Sequence, residues 1–372
     1  MIPPRRDPEM LLRHWWENGA PRPLTAALTL LSWAYRLGLV TREQAYARGV
    51  LKTERLPCPV VSIGNITLGG SGKTPTVELA ARSLLALGAC PAVVSRGYGR
   101  RSHGVSVVAD RDGVKLDARD AGDEPLLLAE RLPGVPVIVC ENRYQGGRVA
   151  VERCGATVVI LDDGFQNRSI AKDLEIVVVN GRSPWGNSRL FPRGTLREPV
   201  SALARADLVV VTNPGGASEV EAVSGAVRRH GGSAPVMAAR YDVMDPLEAR
   251  TGQRQTLAAL KDRTALAFCG LGWPRGFTNT LQSSGIRVAG LVEFPDHHWF
   301  EPADLAGLVR EAEASGADGL VTTEKDWVRL RGLALPRIPL WVVPITLTLE
   351  PPQEKWLESL GRVLGSSGAR RS

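Results

Sequence analysis

The sequence predicts an α/β protein with a large parallel-sheet domain, a β-ribbon hinge and a second, smaller α/β domain. Three observations predict it. Short β-branched runs alternate with helical stretches from Pro59 onward, a glycine-rich loop follows the first of those runs, and the alternation breaks near residue 231 and restarts at Ala265. Near-continuous apolar strands separated by helices mean a parallel sheet covered on both faces. At 372 residues, two domains are the natural expectation. The boundaries fall at 1–45 for an N-terminal amphipathic segment, 46–230 for the sheet domain, 231–262 for the hinge and 263–372 for the second domain.

The N-terminal segment comes first. Leu24 to Tyr35 carries no charge and is then interrupted by Arg36. Leu24, Leu28, Leu31 and Tyr35 share one helical face, and Leu30, Trp33 and Leu37 widen it. No run reaches the roughly 18 to 20 apolar residues of a membrane-spanning helix. Trp15 and Trp16, with Arg5, Arg6, Arg13 and Arg22 around them, suit the bilayer interface, where rings sit at headgroup depth and cations meet anionic lipid. Packing of this helix on its own domain is the competing reading. A cleaved signal peptide ending at Ala45-Tyr46-Ala47 is disfavoured, because the charged lead-in is long and Arg42 and Glu43 intervene.

The strands of the first domain are read at Val60 to Ile63, Ala92 to Ser95, Val135 to Cys140, Thr157 to Leu161, Ile176 to Val179 and Leu208 to Thr212. Each is followed by loop residues rich in Gly, Asp, Asn or Arg, and sites on such sheets lie beyond the carboxyl ends of the strands. Pro235 to Tyr241 reads as a strand of the hinge ribbon. Ala265 to Phe268, Val288 to Val292, Gly319 to Thr322 and Leu340 to Val343 then supply the second domain.

Composition sets the partners. The formal charge of +7 favours anionic ones, and no RNP, helix-turn-helix or zinc-finger pattern points to nucleic acid. The five cysteines are odd in number, dispersed and without a CxxC pair, which fits small core residues in a reducing compartment rather than disulfides or zinc.

Chemistry enters at Gly69-Gly70-Ser71-Gly72-Lys73-Thr74-Pro75, between the strand ending at Ile63 and a helix expected near Thr76. Glycines let the backbone approach phosphates, and the N–H groups at a helix start meet their charge. Lys73 would reach the β- and γ-phosphates of ATP, and the Thr74 hydroxyl would ligate Mg²⁺. The first glycine of the usual spacing is Thr67 here, so the loop is a variant. Val158 to Leu161 followed by Asp162-Asp163-Gly164 supplies an acidic partner for the metal at the carboxyl edge of the sheet. The first domain is therefore P-loop NTPase-like. P-loops serve switches, ligases and kinases alike, so the reaction stays open at this point.

Eight segments narrow it: Val61 to Pro75, Ser95-Arg96-Gly97-Tyr98-Gly99-Arg100, Gly122 to Pro125, Leu161 to Gln166, Leu196 to Pro199, Phe268 to Gly272, Pro295 to His298 and Thr322 to Asp326. In this order they resemble the tetraacyldisaccharide 4'-kinase family over nearly the whole chain. The resemblance implies transfer of the ATP γ-phosphate to the 4'-hydroxyl of tetraacyldisaccharide 1-phosphate, giving lipid IVA in lipid A biosynthesis. It implies a peripheral position on the cytoplasmic face of the bacterial inner membrane, against an anionic surface, with no obligate protein partner. It also implies that Asp123 and His297, one from each domain, form an acid–base pair that domain closure would assemble, and that Glu198 is a further acid near the metal. A hydroxyl is a poor nucleophile until a positioned base takes its proton.

Local chemistry offers plainer roles beside these. Asp123 before Glu124 and Pro125 suits a helix N-cap. His297 and His298 are adjacent and point to opposite sides of an extended loop, and His297 is chosen for the cleft. Glu198 also suits a salt bridge with a neighbouring Arg. Arg96, Tyr98, Arg100, Arg143 and Lys325 follow strands or precede helices at the sheet edge and could hold phosphate or substrate. Two departures from the family pattern stand out: Asn167 replaces the usual His after Asp-Asp-Gly-Phe-Gln, and Arg193 and Thr195 replace small or proline residues before Leu196. A membrane-bound switch ATPase or GTPase and an ATP-dependent ligase are the alternatives. The first needs no base in the second domain, and the second leaves the Trp- and Arg-bearing N-terminal segment unexplained.

Overall fold

The structure is a computed structural model and describes residues 8–368. It divides into two compact units, one of Arg13–Arg240 with the segment returning at Leu347, the other built on Tyr241–Thr346. The chain opens with helices α1 (Pro8–Asn18) and α2 (Arg22–Ala47). The strands of the larger unit are β1 (Val60–Gly64), β2 (Pro91–Ser95), β3 (Ser106–Asp110), β4 (Gly113–Val114), β5 (Val137–Val139), β6 (Val158–Asp162), β7 (Leu174–Asn180) and β8 (Leu208–Thr212). Between them run α3 (Lys73–Ala86), α4 (Ala118–Ala121), α5 (Asp123–Arg131), α6 (Arg143–Glu152) and α7 (Ala217–Arg229).

β9 (Val236–Val243) leads out of the larger unit. The smaller unit holds β10 (Leu247–Glu248), α8 (Leu257–Lys261), β11 (Thr264–Cys269), α9 (Pro274–Ser283), β12 (Arg287–Glu293), α10 (Pro302–Ala314), β13 (Gly319–Thr323), α11 (Glu324–Leu330) and β14 (Leu340–Val343). β15 (Ile345–Leu349) and α12 (Glu354–Gly368) close the chain.

The large sheet has the order β15-β9-β8-β7-β1-β6-β2-β5-β3-β4, and the small one β10-β14-β13-β11-β12. From β9 to β5 the large sheet is parallel, and β3 pairs antiparallel to β5 at its edge. Every residue of β1, β2 and β6 is buried, as their unbroken apolar runs require. Register fixes the site: Ile63 lies opposite Asp162, so the exits of β1 and β6 emerge side by side.

Three expectations need correction. The second unit does not run to the C-terminus. α12 packs on the larger unit, where the Trp356 indole, 1% exposed, donates to Ser83 Oγ of α3 at 3.0 Å. Trp356, Leu360 and Val363 form one buried stripe that needs a partner surface, and periodicity does not say which. The hinge ribbon is made of β9 with β15 rather than from residues 231–262 alone. Glu350 N donates to Ala238 O and Met244 N to Pro344 O, so the two strands run oppositely. Finally, Arg36 does not end the apolar segment. α2 continues to Ala47 and is long and apolar enough, by length and composition only, to cross a membrane.

Candidate phosphate-binding and catalytic site

The loop after β1 is held from below by Asn65, which is fully buried. Its side-chain amide donates to Thr67 O at 2.7 Å and Ser71 Oγ at 2.9 Å, while its backbone carbonyl accepts from Gln166 Nε2 at 2.8 Å. Thr212 Oγ1 donates to Ser71 O at 2.9 Å. α3 begins at Lys73 rather than near Thr76, so Lys73 and Thr74 lie in its first turn. Gly72 caps it at φ 89°, a left-handed conformation that disfavours any side chain. Gly64 is required for a different reason: a Cβ there would stand 2.6 Å from Phe165 N. Thr67 makes a bridge with Leu196 and has no positive φ, so this position needs no glycine.

The two aspartates differ in environment. Asp162 is buried; its Oδ2 accepts from Ser95 Oγ at 2.8 Å and its Oδ1 has no hydrogen-bond partner. Burial, then the charges of Glu124 and Asp163, push its carboxyl up to about 6. Asp163 accepts from Arg197 Nη1 through both oxygens, at 2.8 and 3.0 Å, and lies 3.7 Å from Lys73 Nζ. Burial alone would raise its carboxyl, but Lys73, Arg197 and Arg143 outweigh it and hold it down at about 2. Its backbone sits at φ 51°. A buried carboxylate oxygen without a donor, near Lys73, is a donor set that suits a hard divalent cation. Among the described residues no ready-made cluster of three or more metal-binding side chains occurs.

Glu198, expected near the metal, has its carboxylate engaged by Arg205 at 2.7 Å and Arg42 at 3.7 Å. Of the basic candidates, Arg143 is buried, donates to Cys140 O at 3.1 Å, and feels the charges of both Asp162 and Asp163. Burial lowers its pKa. Arg100 is also buried but binds Glu141 at 2.7 Å and the Val139 and Gly104 carbonyls. Arg96 and Tyr98 are exposed after β2. Sequence reasoning gave no role to Arg197, Ser95, Asn65 or Gln166. All four stood inside the quoted motifs, but only folding shows which carboxylate or carbonyl each one meets.

Asp123 is 4% exposed and is the first residue of α5; the N-cap is Gly122, so the cap expected at Asp123 shifts by one. Its Oδ1 accepts from Glu124 N at 2.9 Å.

In the smaller unit His298 stacks on Phe294, at 4.8 Å between ring centroids, and its Nε2 lies 2.9 Å from Asp304 Oδ2. That occupies His298 structurally. His297 stands at φ 58°, with its backbone N–H donating to Asp296 Oδ1 at 3.0 Å and its Nε2 3.5 Å from Lys325 Nζ. Lys325 therefore meets Asp296 and His297. Asn167, the departure from the family pattern, accepts from Ser169 N and Oγ and shapes the turn after β6. Arg193 N donates to Ser32 Oγ of α2, and Thr195 O accepts from Leu68 N of the phosphate loop.

Comparisons with known proteins agree on one family. The family model described as tetraacyldisaccharide-1-P 4'-kinase matches residues 24–362. A tetraacyldisaccharide 4'-kinase of Syntrophus aciditrophicus is 39% identical over 354 residues, covering 91% of this chain and 94% of that protein. One from Anaeromyxobacter dehalogenans is 43% identical over 322 residues, covering 85% of each. Among solved structures, LpxK from Aquifex aeolicus in complex with ATP matches with a TM-score of 0.72 and 33% identity, over 92% of this chain and 99% of that one.

Proposed function

The chain belongs to the tetraacyldisaccharide-1-P 4'-kinase family, and from that premise we infer how its residues divide the reaction. It is a kinase that transfers the γ-phosphate of ATP to the 4'-hydroxyl of tetraacyldisaccharide 1-phosphate, forming lipid IVA in lipid A biosynthesis. The observation that carries the reading is the glycine-cradled Lys73 beside the Asp162-Asp163 pair, inside a family match that spans both units.

The backbone N–H groups of Gly69 to Thr74 and the Lys73 ammonium cradle the ATP phosphates. Thr74 and Asp162 would hold Mg²⁺, which would supply charge compensation for the transferred phosphoryl group. The buried, unpartnered Asp162 Oδ1 supports that ligand choice. Asp163 orients Lys73 while Arg197 fixes Asp163, and Glu198 braces the loop through Arg205 and Arg42. Arg143 adds positive charge beneath the aspartates. By the family resemblance, Asp123 and His297 would each serve proton transfer at the sugar hydroxyl.

The chain works as a peripheral protein at the cytoplasmic face of the inner membrane. Leu30, Trp33, Leu37 and Val40 form an exposed stripe on α2, opposite the docked Leu28 and Ser32. A groove of about 290 Å³ beside it is lined by Trp33, Arg36, Arg189 and Arg193, cations suited to an anionic lipid surface.

The test is transfer of labelled γ-phosphate to the tetraacyl disaccharide 1-phosphate in mixed micelles. Asp123→Ala and His297→Ala should each lower kcat by about 10²–10⁴. Unchanged product formation in both variants would remove the acid–base assignment.

A further inference from the structure

Lys325 is one of the candidates that could hold phosphate or substrate, and its ammonium lies 3.1 Å from Asp296 Oδ1 and 3.5 Å from His297 Nε2. The same Asp296 oxygen accepts the His297 backbone N–H, so a single carboxylate organises both the loop and the lysine. The side chains are 14%, 20% and 26% exposed for Lys325, Asp296 and His297, which limits competition from water.

The lysine has little room to wander. Its neighbour Asp326 is fully buried; Oδ1 accepts from Gly270 N at 3.0 Å, and the carboxylate is also bound by Thr323 Oγ1 and Arg329. Those bonds pin the first turn of α11. On the other side of His297, His298 is fixed by Asp304 and Phe294. A Cβ on Gly270 would stand 2.7 Å from Pro295 O, so the loop carrying His297 is packed against the β11 exit as well.

An ammonium group has three donors and no acceptor, so Lys325 can hydrogen-bond Nε2 only when that nitrogen is unprotonated; the same Nε2 lies 3.9 Å from Asp296 Oδ1, beyond hydrogen-bond reach. A neutral imidazole then carries its proton on Nδ1. We propose that Lys325 is a positioning residue for the transfer reaction, holding His297 as the neutral Nδ1–H tautomer with Asp296 as the anchor of both. The ring then meets its reaction partner as a neutral donor in fixed orientation. The proposal rests on the acid–base reading of His297 and assigns Lys325 a role other than phosphate binding.

The experiment is nitrogen-15 labelling of histidine in the full-length protein, with the His297 signals identified by their loss in His297→Asn. The wild type should show the Nδ1–H pattern. Lys325→Met should convert His297 to the Nε2–H pattern and lower kcat about 10–100-fold, the usual cost of losing a partner that orients an imidazole, with KM for ATP within about twofold. Lys325→Arg keeps a cationic donor and should retain the Nδ1–H pattern and most of the rate.

A wild-type Nε2–H pattern overturns the proposal without any variant, as does an unchanged tautomer in Lys325→Met. A large rise in KM for ATP with kcat intact would return Lys325 to phosphate binding. Intact transfer in His297→Ala would instead overturn the acid–base reading beneath, a result on which the tautomer spectrum does not depend.

Discussion

In its proposed metal-holding role, Asp162 would place function against stability within one side chain. Its carboxyl is raised from 3.8 to about 6 by burial and by the neighbouring Glu124 and Asp163. A carboxyl with a raised folded-state pKa binds its proton more tightly in the native protein. Stability therefore falls as pH climbs from 3.8 through about 6. In the absence of divalent metal, Asp162→Asn should stabilise the protein by about 1–3 kcal/mol at pH 8 and by almost nothing near pH 4. Denaturant midpoints in chelator at the two pH values test this. The same variant should lose most of its kinase activity. Equal midpoints for both proteins at pH 8 would mean that the buried carboxylate is better solvated than its surroundings imply. Asp163 and His297 are both non-glycine residues in the left-handed region, as are Ser188 and Asn213. Such positions persist where the surrounding bonds over-determine them, here Arg197 at Asp163, and Asp296 with Lys325 at His297.

At the scale of elements, α2 is a two-sided helix. One side docks on the loop before Leu196: Ser32 Oγ donates to Leu190 O, Tyr35 Oη donates to Arg197 O at 2.9 Å, and the Tyr35 ring meets Phe191 edge-on. That loop touches the phosphate loop through Leu68 N to Thr195 O, and Arg197 binds Asp163. The opposite side leaves Leu30, Trp33 and Leu37 between 64% and 68% exposed. Each such side chain gains roughly 1.5–3 kcal/mol on full burial. Replacing all three by Ser should lower binding to anionic vesicles more than tenfold, read by sedimentation, while leaving thermal stability nearly unchanged. Unaltered sedimentation would move the membrane contact elsewhere. Helical periodicity alone grouped Leu31 with Leu28 and Tyr35, yet Leu31 is 56% exposed. The docking loop decides where the helix face ends, and the helix's own sequence does not encode it.

For the whole molecule, the return of the chain to the larger unit is the main organisational feature. α12 contributes Trp356, whose ring is almost wholly enclosed and hydrogen-bonded to α3. Trp356→Ala should cost about 3–5 kcal/mol, measurable by denaturant unfolding, and the loss should appear in the transition of the phosphate-binding unit. A loss confined to the smaller unit would contradict the division at Leu347. The sequence by itself determined the parallel strands of both sheets but not β3, β4, β10 or β15, which it leaves unread. It also determined the phosphate loop, the paired aspartates and the family, because each is written in contiguous residues: apolar runs, glycine spacing and short motifs. Tertiary structure decided the rest. Arg197 on Asp163, Ser95 on Asp162, Lys325 on His297, the β9–β15 ribbon and the docking of α12 all join residues far apart in the chain. Their partners are chosen by strand register and by the closing of apolar surfaces, and no local pattern records either.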